Sequence, residues 1–350
     1  MSDTEGTRKM TNDVLRLTAE LMAIDSTSDQ EGELMAHVSL MLESRGWRVT
    51  RIPVTPGRMN VFATCVHAPV VTLSTHLDTV PPYIPPRLDG DTLWGRGSCD
   101  AKGIAAAMIL AAEQLRERER PIALLFVVGE EITHDGAHAA NANPGTSRVL
   151  IDGEPTEGKL ALGTKGAMRV AIRTSGVAAH SAYPELGDSA ITKLIALLNE
   201  LPQLELPRDE LLGATTINIG QISGGVADNV IAPQAEARIM VRLVSDAEEM
   251  WKLLVEWVAG RATLERGSLV PAIRLGVVPG FETMVAAFAT DIPALPRWGK
   301  PYLYGPGSIH VAHTSQEHIT RAELESAVKG YVRLAEAALK DLEIVKRVAK

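Results

Sequence analysis

The residues best suited to chemistry in this sequence are histidines and carboxylates, gathered in short stretches far apart along the chain. They are His76-Leu77-Asp78, Asp100 inside the glycine-rich run Gly95 to Gly103, Glu130-Glu131, Asp152-Gly153-Glu154, and His310 and His313 beyond Gly305-Pro306-Gly307. An imidazole offers one ring nitrogen to a metal, and a carboxylate two residues away can orient the ring from behind. His76 and Asp78 have that spacing. A carboxylate has two oxygens and can bridge two cations, and the glycines around Asp100 free the backbone for a tight approach. Two adjacent carboxylates are costly to desolvate together, and a cation removes that cost. One glutamate of the Glu130-Glu131 pair can then bind metal while the other takes a proton from an activated water.

Each stretch also has a plainer reading. Asp100 precedes an apolar helix and could cap it. His76 could be a loop histidine, and Glu130-Glu131 a solvated pair opening a helix. Either Asp152 or Glu154 could be the ligand at its strand end, and either His310 or His313 the late histidine. His37, His67, His134, His138 and His318 read as structural or surface residues, and Cys99 as a buried bystander. Mixed nitrogen and oxygen donors suit zinc, cobalt or manganese.

The elements that must position these residues follow from periodicity. Val14, Leu15, Leu17, Leu21 and Met22 have helical spacing, and a second helix is expected from about Glu31 to Ser44. Three β-rich runs follow, Trp47 to Val54, Met59 to Cys65 and Val70 to Thr75. A helix after Gly103 leads to the apolar strand Ile122 to Val128. A short helix, roughly His134 to Asn141, precedes the strand Val149 to Ile151. Apolar strands thus deliver polar residues at their C-terminal ends, where open α/β sheets place their sites.

The middle of the chain differs. Met168, Val170 and Ile172 alternate with Arg169, Ala171 and Arg173, Ala214 to Ile222 is strand-like, and Ala235 to Leu243 alternates in the same way as the first run. Asp188 to Leu198 is expected to be helical, and a second helix opens at Ser245 with Glu248 as a capping box. Ile273, Leu275 and Val277 are expected to close the segment as a strand. The order β-α-β-β-α-β is that of a ferredoxin-like unit. The expected division is a catalytic domain at 1–164 plus 280–350, interrupted by a small domain at 165–279. The last helix starts at Thr320 with Glu323 as its capping box.

Composition is that of an ordinary globular chain of 350 residues, with 45% hydrophobic and 22% charged residues. The formal charge of -8 argues against a nucleic-acid partner held by phosphate neutralisation. No apolar run approaches the ~20 residues of a membrane span. The polar start, Met1 to Met10, lacks the apolar core of a signal peptide. Two cysteines, Cys65 and Cys99, read as reduced thiols, and a cytoplasmic location is expected.

Together these stretches resemble a known family, the di-zinc amidohydrolases related to acetylornithine deacetylase, succinyl-diaminopimelate desuccinylase and carboxypeptidase G. The resemblance lies in His76 to Pro81, Gly95 to Gly103, Glu130-Glu131, Gly153 to Thr156, and Gly305 to Gly307 followed by Ala312-His313. It continues in the small domain through Ala179 to Ala182 and Gly224 to Ile231. It implies an α/β, metal-dependent aminopeptidase-like catalytic domain with an inserted ferredoxin-like domain serving as lid and dimer contact, hence a homodimer.

The resemblance also implies roles. Asp100 bridges two divalent metal ions, zinc first, with cobalt or manganese as alternatives. His76 and Glu154 complete one site, and Glu131 and His313 the other. Glu130 is the general base, and Asp78 orients His76. His313 is preferred to His310 because the family's ligand lies four positions before a glutamate, here Glu317. His180 matches an oxyanion-stabilising histidine that reaches a neighbouring active site across the dimer. Asn229, Arg242 and Thr290 match substrate-contacting positions. Met240 and the segment Thr314-Ser315-Gln316 depart from the family pattern.

The implied reaction is hydrolysis of the amide of an N-acyl amino acid, with N-acetylornithine or a similar N-acetyl amino acid as the expected substrate. A glutamate where carboxypeptidase relatives often carry aspartate, Glu154, tilts the expectation toward deacylases. The alternatives are a dipeptidase or carboxypeptidase, a succinyl-diaminopimelate desuccinylase, and a catalytically silent metal-binding relative.

Overall fold

The structure is a computed structural model and describes residues 13–348, with side chains described up to 342. The polar opening segment lies outside the described residues. Along the chain run α1 (Val14–Met22), α2 (Gly32–Ser44), β1 (Arg48–Thr55), β2 (Arg58–Thr64), β3 (Val71–His76), β4 (Arg87–Asp89), β5 (Thr92–Trp94), α3 (Lys102–Glu117), β6 (Ile122–Val127), α4 (Asp135–Ala142) and β7 (Val149–Asp152). Then come β8 (Gly166–Ser175), α5 (Ala190–Leu198), β9 (Thr216–Gly224), β10 (Gln234–Leu243), α6 (Ala247–Val258), β11 (Thr263–Val270), β12 (Lys300–Leu303), β13 (His318–Thr320) and α7 (Arg321–Val348). Among the described residues no helix is long and apolar enough to cross a membrane.

The chain divides into two compact units. The first comprises residues up to Leu162, Leu275–Met284 and residues from Thr290 onward; the second comprises Gly163–Arg274 and Val285–Ala289.

The first unit is built on a six-stranded sheet in the order β1-β2-β6-β3-β7-β12. β6, β3, β7 and β12 are mutually parallel, while β1 and β2 run antiparallel at one edge. β3, β6 and β7 are buried at every position, as unbroken apolar or small-residue strands in the middle of a covered sheet should be. α3 is alanine-rich and buried on almost every side, from Gly103 to Ala112. Small side chains let it lie close to the sheet: Gly153 at the end of β7 faces Ile104 and Met108 with no room for a Cβ. α7 opens with the expected box: Thr320 N donates to Glu323 Oε2 at 2.8 Å, and Glu323 N donates to Thr320 Oγ1 at 3.3 Å.

The second unit is a four-stranded antiparallel sheet, β9-β10-β8-β11, with α5 and α6. In chain order this is the βαββαβ ferredoxin-like arrangement. Met168, Val170, Ile172, Ala237, Ile239 and Val241 form its core with Leu194, Leu197, Met250 and Leu254 from the helices.

Two local expectations need correction. The closing strand of this sheet is Thr263–Val270, not the alternating run at Ile273. It reads poorly as a strand because Glu265 and Arg266 interrupt its apolar residues and the pairing slips between Arg266 and Leu269. Ile273 and Arg274 instead pair with Thr164 and Gly163. α6 is capped by Asp246 rather than Ser245, its carboxylate accepting from the N–H of Glu248 at 2.8 Å.

Candidate metal centre

Parallel pairing of β6, β3 and β7 brings three strand ends side by side. His76 is in register with Val127, and Ser74 with Asp152. The next residues of the three strands therefore open at one edge: His76 to Asp78, Gly129 to Glu131, and Asp152 to Glu154. The Asp100 loop and the segment carrying His313 close over them.

Asp100 lies between two imidazoles. Its Oδ1 is 3.1 Å from His76 Nε2, and its Oδ2 is 3.1 Å from His313 Nε2. It does not cap α3, whose N-cap is Ala101 and has no side-chain bond. His313 Nε2 is also 2.9 Å from Glu131 Oε1. Two sets of donor atoms result, each lying within 4.8 Å of one another: His76, Asp100 and Glu154, and Asp100, Glu131 and His313. Asp100 belongs to both. Asp152 is buried at the end of β7 but joins neither set, and His310 is exposed and joins neither.

Asp78 ties the centre together from behind. Its backbone carbonyl is 3.0 Å from His76 Nδ1, and its carboxylate takes the N–H of Glu130 at 3.1 Å, that of Glu131 at 3.2 Å and the Ser28 hydroxyl at 2.9 Å. His76 Nε2 is thereby presented to the centre.

The electrostatics show what the donor set lacks. Burial pushes Glu130 well above the usual carboxylate range, and the charges of Asp291, Glu131 and Asp78 add to this. Burial, then Glu130, Asp100 and Asp152, does the same to Glu154 against the pull of His76. Asp152 is also pushed up by burial, and its Oδ2 is buried without a hydrogen-bond partner. Burial opposes ionisation of Asp100 too, but the His313 and His76 contacts outweigh it and hold that carboxyl low. His313 is raised to about 10 by Asp100 and Glu131. Crowded acids thus push one another up while the imidazoles among them are raised, the pattern of a donor set rich in carboxylates. Divalent cations at the two sets would relieve that crowding, so the donors fit a two-metal cofactor.

Several contributors are not evident from residue type and spacing. Glu317, 1% exposed, accepts from the N–H groups of Gly97 at 2.9 Å and of Cys99 and Asp100 at 3.3 Å, while Arg96 Nη1 meets its other oxygen at 2.5 Å. Gly95 and Gly97, at φ 132° and 86°, give the loop the backbone it needs to wrap this carboxylate. His134, expected to be structural or surface, lines the centre. Its Nδ1 is 2.9 Å from Asp291 and 3.9 Å from Glu130 Oε1. Thr290 is buried and its hydroxyl accepts from Ile292 N, so its neighbour Asp291 makes the polar contact toward the centre.

His180, Asn229 and Arg242 belong to the second unit. The two stretches that carry His180 and Asn229 are adjacent there: Ser181 N donates to Asn229 O at 3.0 Å and Ile231 N to Ala179 O at 2.9 Å. Both residues are exposed, and Arg242 is half-buried on β10.

A "Probable carboxypeptidase" of Aspergillus fumigatus is 38% identical over 381 aligned positions, covering 93% of this chain and 87% of that protein. The chain belongs to the M20 family of metallopeptidases and amidohydrolases. Residues 162–263 of this M20 protein match the family's peptidase dimerisation domain. A tripeptidase structure from Staphylococcus aureus shares the fold at TM-score 0.77 and 20% identity, covering 92% of this chain and 98% of its own. An M20 metallo-carboxypeptidase structure from Sulfolobus solfataricus does so at TM-score 0.74 and 17% identity, covering 93% and 99%. The M20 catalytic unit and its two candidate metal clusters make this chain a metal-dependent hydrolase of amide or peptide bonds.

Proposed function

We propose that this M20 protein is a two-metal peptidase that releases the C-terminal amino acid from short peptides. The observation that carries the two-metal reading is the Asp100 carboxylate, shared between two imidazoles and common to both donor sets. The peptide substrate is supported by the relatives at 37–38% identity, most of which are described as carboxypeptidases.

In this reading His76, Asp100 and Glu154 hold one cation and Asp100, Glu131 and His313 the other, with zinc first and cobalt or manganese also suited to the donors. When bound, such cations acidify water and polarise a carbonyl. Glu130 takes the proton of the attacking water on its carboxylate and delivers it to the leaving amine. Asp78 keeps Nδ1 of His76 engaged so that Nε2 faces the centre. His180, Asn229, Arg242 and Thr290 serve the substrate: His180 stabilises the developing oxyanion, and Arg242 suits a terminal carboxylate through its planar fork. The second unit is a dimerisation domain, and the protein acts as a homodimer.

A second reading, deacylation of an N-acetyl amino acid such as N-acetylornithine, draws on Glu154, a glutamate where carboxypeptidase relatives often carry aspartate. One panel separates the two. The metal-loaded protein is assayed with dipeptides, N-blocked peptides bearing a free C-terminus, N-acetylornithine and N-succinyl-diaminopimelate. Peptides are expected to be cleaved with kcat/KM at least 10-fold above the acyl amino acids, a difference of about 1.4 kcal/mol in transition-state binding. Faster cleavage of N-acetylornithine would replace the first reading with the second, and no cleavage of any would remove both.

A further inference from the structure

Glu130 and Glu131 stand on a turn that lies outside regular structure, between the end of β6 and the start of α4. Its inner side is held by Asp78, which accepts both of their N–H groups. Its outer side rests on a guanidinium. Arg58 at the start of β2 is 8% exposed. Its Nε and Nη2 bond both oxygens of Glu31 at 2.8 and 2.9 Å, and Glu31 is fully buried. Its Nη1 and Nη2 bond both oxygens of Asp135 at 2.6 and 3.3 Å, and Nη1 also reaches Thr55 Oγ1 at 3.4 Å. All five N–H donors of the fork are therefore engaged.

This cluster presses on the residue before Glu130. A Cβ on Gly129, whose φ is 73°, would lie 2.6 Å from Arg58 Nη2 and would collide with Asp135 Oδ1. Asp135 in turn accepts the N–H of Gly136 at 2.9 Å, and Gly129 O takes the N–H groups of Thr133 at 3.0 Å and His134 at 2.7 Å. Asn60, two residues after Arg58 on the same strand, bonds Val128 N at 3.2 Å and Gly136 O at 2.7 Å. The turn thus has a fixed floor, made by one strand, under two carboxylates that repel each other.

We propose that Arg58, clamped between Glu31 and Asp135, is a positioning residue for the Glu130-Glu131 turn, setting where the general base and its neighbouring ligand stand. Arg58 bonds Glu31, Thr55 and Asp135 and none of the proposed metal ligands. The role rests on the assignment of Glu130 and Glu131 made above. A lysine at position 58 keeps the charge but offers a single point of donation, so it cannot span Glu31 and Asp135 together.

The test compares wild type, Arg58→Lys and Asp135→Asn as metal-loaded full chains. Hydrogen exchange, read by mass spectrometry, is expected to quicken in peptides covering residues 129–136 and to stay unchanged in α3 and β3. On a peptide that wild type cleaves, kcat is expected to fall about 10- to 100-fold, the scale of an ångström of misplacement, with KM within a factor of about 3. Asp135→Asn, which keeps one acceptor oxygen and leaves the Arg58 bonds to Glu31 in place, is expected to show the smaller change in both readouts. Exchange quickened uniformly through the first unit, with kcat per folded molecule intact, would make Arg58 a mere stability residue and overturn the proposal. Unchanged exchange at 129–136 in both variants would overturn it as well. Absence of amide cleavage by wild type would instead count against the proposed function, while the exchange result would still decide the clamp.

Discussion

The Asp100 loop and the Glu130-Glu131 turn meet at one centre but are held in opposite ways. The loop wraps a buried acceptor: Glu317 collects three of its N–H groups and pairs with Arg96. The turn is held by acceptors inside, at Asp78, and by a donor fork outside, at Arg58. The difference follows from what each must present. Asp100 is the one carboxylate of its loop and faces two imidazoles, and the negative charge behind the loop, Glu317, is met by backbone N–H groups and Arg96. Glu130 and Glu131 already repel each other, so their turn is fixed through backbone and through the Asp135 carboxylate that Arg58 holds. In both corners a buried charged group distant in sequence holds a short stretch outside regular structure.

Substitutions in the two corners are expected to differ in the size of their effects. Glu130→Gln should lower kcat by about 10²- to 10⁴-fold while both metals stay bound, because a general base is lost and no proposed ligand is. Near-wild-type turnover would remove the base assignment. Arg96→Met should cost about 3–5 kcal/mol in urea unfolding, since it strands a fully buried carboxylate. A loss below 1 kcal/mol would mean that the loop N–H groups alone satisfy Glu317. Glu317→Gln keeps an acceptor for those groups but turns an amide toward Arg96. Metal affinity, measured by competition with a chelating dye, should fall about 10- to 100-fold. Full affinity would show that the loop holds its shape without the charge. His310→Ala should leave metal content unchanged, whereas His313→Ala should lower it; the reverse pattern would exchange the two residues.

The strand ends that carry this centre are legible in the sequence. Buried apolar strands ending in His76, Glu130 and Glu154 announce a parallel sheet with polar residues at one edge, and the alternation around Val170 and Ile239 announces the second unit's sheet. What stayed hidden depends on long-range contacts. Glu317 stood out only through its spacing from His313, and nothing local says that its carboxylate sits inside a loop more than two hundred residues earlier. His134 reads as an ordinary helix-start histidine until Asp291 is seen to hold its ring. Arg58 lies just before the run Met59 to Cys65, and nothing local marks it. The strand at Thr263 was missed because its edge position tolerates charges and a slip in register, which erase the alternation that betrays a strand.

The most direct test of the central claim is metal stoichiometry by mass spectrometry on wild type, Asp100→Ala and His76→Ala, each reconstituted with zinc and freed of loosely held ions. If Asp100 is common to both clusters, wild type binds two ions per chain, Asp100→Ala retains close to none, and His76→Ala retains about one. An Asp100→Ala protein that still holds two ions with wild-type affinity would contradict the shared carboxylate and the two-metal centre built on it.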